Sequence, residues 1–364
     1  MAVAPPPSST HASGADQPAT GGLRVPVLLP MPFTGPFDYK APASMALKPG
    51  DIVSVPLGNR RQTGVVWDTN NTLPPDLAQP APGKTVADNR LRAVAERLEL
   101  PPLNTGLRRF VDWVAAYTLS PPGMVLAMTL RLHMKGSAPA PATGWVVQSP
   151  PPATLRMTPA RQSVLALMAD GTTRTTTDIA SAAGVSAGVV KGLADAGALR
   201  PVLLEPARPF AQPDPLHHPP TLEGAQEDAA AALRQSVREK KFSVTLLEGV
   251  TGSGKTEIYL EAIAACLEQG QQALVLLPEI ALSAQCMERF TRHFGVRPAV
   301  WHSEIGQKAH RQTWLGAADG SVTVVVGARS ALFLPFCNPG LIIVDEEHES
   351  LFKQEEGVIY NARD

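Results

Sequence analysis

The sequence predicts a chain of three modules: a small β-rich domain, a winged-helix-like α module, and an α/β lobe built around a phosphate loop. Three observations carry that reading. Short Val- and Leu-rich pieces separated by Pro and Gly turns fill the first third. Helical stretches with start and stop signals fill the middle. From Thr221 onward, continuous Val/Leu/Ile runs alternate with helical segments, as in a parallel sheet buried on both faces.

Residues 1–22, "MAVAPPPSSTHASGADQPATGG", have neither the basic start nor the apolar core of a secretory signal and read as a disordered tail. Residues 23–134 form the β-rich domain, with the pieces "RVPVLLPMP", "FDYKAP", "DIVSVPLG" and "QTGVVWD". They are followed by a helix, "GLRRFVDWVAAYTL", which sets Phe110, Val114 and Tyr117 on one face. Residues 135–155 are a Pro/Ala-rich linker with room for one strand.

Residues 156–206 begin with "TPARQSVLALMADG", a helix with a Thr-Pro start and a Gly stop. A second helix opens at Asp178, Gly184 turns the chain, and Ser186 caps a third helix. That is the cadence of a helix-turn-helix, with "ALRPVLLEP" as a wing strand; a small three-helix spacer is the alternative. The recognition helix would carry only Lys191 as a base, so strong sequence readout is not expected. Residues 207–220 are a second Pro-rich linker, in which His217 and His218 read as solvated. Residues 221–364 are the α/β lobe, with strands expected at "FSVTLLEGV", "QALVLLPE", "RPAVWHSE", "SVTVVVGAR" and "LIIVDEEH".

Composition limits the function. A chain of 364 residues has room for two or three domains. The net charge of -1 advertises no polyanionic partner, but its distribution is uneven. Residues 23–131 hold 12 Lys/Arg against 8 Asp/Glu, whereas 221–364 hold 13 against 19, which suits a binding domain attached to an enzyme. Cys266, Cys286 and Cys337 have no paired spacing, so neither a disulfide framework nor a zinc site is expected and buried thiols are the default. No apolar run approaches the roughly 20 residues that span a bilayer. No membrane partner is expected, and the cytoplasm is the expected compartment.

The chemistry gathers in the last module. "GVTGSGKT" at 249–256 fits G-x-x-x-x-G-K-[ST] between a strand run and a helix run. Gly249, Thr251, Gly252, Ser253 and Gly254 would turn backbone N–H groups toward the phosphates of ATP, helped by the positive end of the helix. Lys255 would neutralise β/γ-phosphate charge, and Thr256 would place its hydroxyl on Mg²⁺. "LIIVDEEH" at 341–348 delivers carboxylates at the end of an apolar strand. Asp345 is suited to hold Mg²⁺ and Glu346 to orient the attacking water. His348 would either couple nucleotide state to a DNA-facing element or cap a loop.

The segments "GVTGSGKTEIYL", "LLPEIALSAQ", "WHSEI", "VVVGARSALFLPF" and "IIVDEEHESLFKQEEGVIYNARD" together resemble the primosomal protein N′ (PriA) family, superfamily 2 DNA helicases of bacterial replication restart. The resemblance extends to "FDY" at 37–39, "VPLG" at 55–58 and "LRAV" at 91–94. It implies that the α/β module is a RecA-like helicase lobe 1 and that the family protein is an ATP-dependent 3′→5′ DNA helicase. Its substrates would be stalled forks and D-loops with a 3′ end, and single strands. Its partners would be single-strand DNA-binding protein and the primosome proteins whose assembly it initiates.

The resemblance also assigns residues. Phe37, Asp38, Gly58 and Arg92 would line a pocket for a DNA 3′ end, with Arg92 where the family often has lysine. Asp38 is chemically apt, because a carboxylate accepts from a terminal hydroxyl and repels a continuing phosphodiester. Gln226 would read adenine. Segments 278–285 and 327–330 would touch the single-strand backbone, with Arg329 and Ser330 on phosphate. Residues 352–360 match the family's aromatic-rich loop, which couples DNA engagement to hydrolysis. Only Phe352 and Tyr360 are aromatic there, with Val358 where a tryptophan could sit.

The sequence holds no S-A-T element, second lobe or cysteine-rich zinc module, so a fragment of a longer protein is expected, with zinc only in the remainder. A short, motor-dead homologue is the second reading. An arginine finger from a second lobe contributes about 10³ to 10⁵ in rate, so little ATPase is expected from these residues alone. A non-catalytic fork-recognition adaptor, or another superfamily 2 translocase, is the alternative.

Overall fold

The computed structural model describes residues 22–68, 86–130, 143–148, 150, 152, 155–203, 210–250, 252–278 and 284–364. The expected tail therefore lies almost wholly outside the described residues, as do Thr251 and positions 279–283 of the "PEIALSAQ" segment. The chain divides into two compact units, Met1–Met134 with Phe210–Asp364, and Lys135–Pro209.

The first unit opens with five strands: β1 (Leu23–Leu28), β2 (Phe37–Ala41), β3 (Ile52–Leu57), β4 (Arg60–Val66) and β5 (Glu96–Arg97). They form one antiparallel sheet in the order β2-β1-β4-β3-β5. Period-2 alternation buries both faces. Val27, Val53 and Val66 enter one cluster, while their neighbours Leu28, Ile52 and Val65 enter another. The β3–β4 hairpin closes on Gly58 and Asn59, with Gly58 at φ +59°, a conformation that favours glycine. Two helices follow, α1 (Thr105–Tyr117) and α2 (Pro122–Thr129). The Asn104 side chain caps α1 by accepting from the Leu107 N–H at 2.8 Å. On α1, Val114 is buried and Phe110 half-buried, while Tyr117 stands exposed.

The second unit holds β6 (Thr143–Val147), α3 (Pro159–Leu167), β7 (Arg174–Thr175), α4 (Thr176–Ala182), α5 (Ala187–Asp195) and β8 (Leu199–Leu203). The strand allowed for within 135–155 is β6, the centre of a three-stranded antiparallel sheet ordered β7-β6-β8. Thr158 caps α3, and Thr175 with Asp178 forms a reciprocal capping box on α4. Ser186 stands at the N-cap of α5 but makes no side-chain cap bond. Val164, Met168, Ile179, Val190 and Leu193 close a small core.

The first unit resumes with an α/β lobe. Its elements are α6 (Ala225–Arg238), α7 (Lys255–Glu268), β9 (Gln272–Leu276), α8 (Ala284–Phe294), β10 (Ala299–Trp301), α9 (Gln307–Asp319), β11 (Val324–Gly327), β12 (Pro339–Val344), β13 (Lys353–Gln354) and β14 (Tyr360–Asn361). The main sheet is parallel and ordered β10-β11-β9-β12. The fifth expected strand, "FSVTLLEGV", is a correction. Residues 242–250 form no strand, and Phe242 and Val244 stand 96% and 85% exposed. An apolar run states what a segment can bury, but a strand also needs a neighbour's hydrogen-bond ladder, and among the described residues β12 pairs with β9 alone.

One linker expectation also changes. From Phe210 the Pro-rich segment lies along the lobe: the Asp214 and His218 N–H groups donate to the carbonyls of Phe294 and His293 at 3.0 and 3.2 Å. The β-rich part and the lobe share one core, in which Leu28, Ile52, Val111 and Leu126 join Trp314, Phe333 and Phe352. Across this junction Trp314 Nε1 donates to the Thr129 carbonyl at 2.9 Å. Of the thiols, Cys266 is buried and pushed up to about 12 by desolvation, but Cys337 is exposed.

Candidate functional site

The phosphate loop runs into α7, whose N-cap is Gly254 at φ +86°. A side chain there would be strained, and a Cβ would stand 2.8 Å from Gln226 Nε2. Gln226, in the first turn of α6, donates to the Ser253 carbonyl at 3.0 Å and so stands against the loop. Arg234 fastens α6 to α7 by pairing with Glu261 at 2.8 Å, while Glu227 on its own helix holds its other terminal nitrogen. Lys255 Nζ donates to the Gly249 carbonyl at 2.7 Å, so the ammonium folds across the loop that carries it. A phosphate oxygen is a stronger, charge-assisted acceptor than that carbonyl. The first N–H groups of α7 have no acceptor within the helix, which leaves them to an anion.

Asp345 follows β12 directly, and its N–H extends the ladder to the Leu276 carbonyl at 3.0 Å. Its carboxylate is held on both oxygens. The Tyr259 hydroxyl donates to Oδ2 at 3.0 Å and the Glu346 N–H to Oδ1 at 3.0 Å. Tyr259 lies on α7 one turn past the phosphate loop, three residues after Thr256 on the same helix. The phenol bonded to Asp345 therefore rises from the helix that carries Thr256, and a donor set of one hydroxyl and one carboxylate suits a hard, oxygen-seeking cation. Among the described residues no cluster of three or more His, Cys, Asp or Glu could hold a metal by itself. Such a cation would need the nucleotide's phosphates as further ligands.

Burial pushes the Tyr259 phenol well above its ordinary range, with the Asp345 charge adding to the effect, so it stays a donor. The Cys286 thiol on α8 is likewise pushed up, first by burial and then by Asp345. Glu346 has φ +52°, unusual for a residue with a side chain, and the bend carries it out of the strand into solvent. His348 lies 3.6 Å from Glu346 across an exposed pair, and Glu347 pairs with Arg363. Sequence reasoning missed Tyr259 and Cys286. The available signal for Tyr259 was its position three residues past Thr256, on the helix face that looks back to the loop.

The four residues expected at the DNA end come from two parts of the first sheet and one segment beside it. Phe37 and Asp38 lie on β2, with the exposed Phe37 ring edge-on to Phe33 at 4.8 Å. Arg92 donates from Nη1 to the Gly58 carbonyl at 2.6 Å, and its own carbonyl accepts the Lys40 N–H at 2.8 Å. Tyr39 adds a 3.2 Å bond to the Pro56 carbonyl, tying β2 to the same hairpin. Arg24, which sequence reasoning also missed, pairs with Asp38 at 2.7 Å and reaches Asp88 as well. That pairing holds the Asp88 carboxyl below the usual carboxylate range.

Arg329 and Ser330 both have internal partners. Arg329 Nη1 donates to the carbonyls of Leu351 and Lys353 at 2.8 and 2.9 Å, and Ser330 Oγ accepts from Trp301 Nε1 at 3.1 Å. Phe352, Val358 and Tyr360 are buried, and Tyr360 lies edge-on to Phe333 at 5.3 Å. The loop expected to present aromatics turns these two inward.

Two family models match the chain. Residues 26–131 match one described as 3′DNA-binding domain (3′BD) of PriA, and residues 225–363 match one described as DEAD/DEAH box helicase. The chain is 30% identical over 342 residues to the replication restart protein PriA of Rickettsia felis, covering 93% of this chain and 39% of that protein. Against PriA of Haemophilus influenzae it is 31% identical over 359 residues, covering 94% and 46%. Against PriA of Bacillus subtilis it is 44% identical over 155 residues, covering 43% and 19%. The chain thus spans less than half the length of these relatives.

Proposed function

We propose that the chain is the N-terminal part of a PriA-type replication restart protein, that it recognises the 3′ end of DNA at a stalled fork, and that it supplies the nucleotide-binding lobe of an ATP-dependent 3′→5′ helicase. The observation that carries this reading is the common core. The sheet bearing Asp38 and the lobe bearing Asp345 fold as one compact unit, which suits a protein that must register a DNA end and a nucleotide together.

In this reading Gln226 contacts the base of ATP, and the N–H groups at the start of α7 receive its phosphates. Lys255 leaves the Gly249 carbonyl for a phosphate oxygen. Mg²⁺, held by Thr256, Asp345 and the phosphates, would supply charge neutralisation at the transferring group. Glu346 orients and polarises the attacking water, and His348 relays nucleotide state through its pair with Glu346. Arg329 and Ser330 bind single-strand phosphates after giving up their present partners. The second unit acts as a winged helix, α4 and α5 being its helix-turn-helix and β8 a wing strand. Single-strand DNA-binding protein and primosome proteins are the partners this role requires.

At the DNA end, Asp38 accepts the terminal 3′ hydroxyl, Phe37 offers its ring to the last base, and Arg92 fixes the Gly58 turn while presenting charge to phosphate. The test is fork binding with matched 3′-hydroxyl and 3′-phosphate ends. Asp38→Ala should lower affinity for the hydroxyl end by about tenfold, the worth of one charged hydrogen bond. It should leave the phosphate end nearly unchanged, and equal losses on both ends would sink the terminal-hydroxyl assignment.

A further inference from the structure

The nucleotide site contains a buried group for which the reading above has no task. Tyr259 is 7% exposed and stands between α7 and the end of β12. Its hydroxyl donates to Asp345 at 3.0 Å, and its backbone stands one helical turn past Thr256 on α7. A hydroxyl that only filled the core would be better replaced by carbon, since burying a phenol oxygen costs free energy unless it is bonded. The bond Tyr259 makes goes to the carboxylate expected to face a divalent cation. The other carboxylate oxygen is fixed by the Glu346 N–H, so the plane of the Asp345 carboxylate is set from two sides.

The kind of donor matters. A lysine or arginine here would fix Asp345 but cancel its charge, and with it the attraction for a cation. A phenol fixes the carboxylate and leaves the charge in place, because a neutral hydroxyl donates without a counter-charge. We propose that Tyr259 is a positioning residue of the nucleotide site, one that holds the Asp345 carboxylate in register with Thr256 and so sets how strongly a divalent cation supports nucleotide binding. The proposal rests on the assignment of Asp345 and Thr256 as cation ligands.

The experiment is a titration of fluorescent ADP into the chain with Mg²⁺ and with chelator, repeated with Mn²⁺ so that the spin signal of the bound cation is read directly. Tyr259→Phe should leave binding in chelator unchanged and cut the gain from Mg²⁺ by about fivefold to tenfold, the range expected for a hydrogen bond to a charged group. Its Mn²⁺ signal should broaden. In an Asp345→Asn background, Tyr259→Phe should add no further loss, because two substitutions acting through one interaction do not add. A Tyr259→Phe chain that melts lower yet keeps the full Mg²⁺ gain overturns the proposal and marks the residue as structural. If the unaltered chain shows no Mg²⁺ gain at all, the cation assignment fails and this inference falls with it. If Asp345→Asn abolishes the gain and Tyr259→Phe does not, only the inference fails.

Discussion

Asp38 and Asp345 are the acids of two proposed sites in one compact unit, and they are held in opposite ways. Asp38 is paired with the Arg24 guanidinium at 2.7 Å, both side chains about one-third exposed. Asp345 is paired with a neutral phenol that is buried. The first arrangement cancels charge, and the second preserves it. That difference follows the ligands each site would meet. A DNA end arrives as a polyanion, so an uncompensated carboxylate would repel the phosphates that bring the hydroxyl in. A nucleotide's cation arrives as a dication and is attracted by whatever negative charge remains.

The comparison breaks most sharply at Lys255, whose counterpart on the DNA side is Arg92. Both now donate to a glycine carbonyl, Lys255 to Gly249 of its own loop at 2.7 Å and Arg92 to Gly58 of the β3–β4 hairpin at 2.6 Å. Lys255→Ala should lower nucleotide affinity by about a hundredfold, measured by fluorescent ADP titration, because the ammonium has no substitute beside the phosphates. Arg92→Ala should weaken fork binding less, since Lys40 lies on the adjoining strand and backbone contacts survive. An equal loss at the two sites would erase the distinction drawn here.

A smaller effect separates the two glycines. Gly58 and Gly254 both have positive φ, so alanine at either one strains the backbone by about 1–2 kcal/mol. At Gly58 the added methyl meets open space, whereas at Gly254 it meets Gln226 and must displace it from the Ser253 carbonyl. Gly254→Ala should therefore weaken nucleotide binding beyond its cost in stability, while Gly58→Ala should weaken fork binding only in proportion to stability. Melting curves beside the two titrations separate the terms.

How much of this was legible in the sequence follows the same divide. Gly249 to Thr256 is one contiguous turn, so its residue types and spacing already state its chemistry, and Asp345 needed only an apolar strand ahead of it. The DNA-end residues are scattered from Phe37 to Arg92, and the resemblance to a family, not their spacing, brought them together. Both partners of the aspartates escaped for a tertiary reason. Arg24 reaches Asp38 because β1 pairs Arg24 with Lys40 and Pro26 with Asp38, which makes Arg24 and Asp38 diagonal neighbours. Tyr259 reaches Asp345 only once α7 has packed on β12, 86 residues along the chain. The opposite error arose at 242–250, where composition stated a strand and no neighbour supplies its ladder.

The gentlest test is Arg24→Ala. Solvent-screened ion pairs contribute little to folding, and Arg24, Asp38 and Asp88 are all partly to largely open to solvent, so the melting temperature should not change measurably. Fork affinity should still fall, by about fivefold at low salt, because two carboxylates then face the incoming phosphates without a counter-charge. The loss should shrink as salt rises, since screening weakens that repulsion over the Debye length. A 3′-phosphate end should lose more than a 3′-hydroxyl end, because its extra charge meets Asp38 directly. A variant that melted lower but bound both ends as before would make Arg24 a structural pair, and the contrast between a discharged and a charged aspartate would then rest on Tyr259 alone.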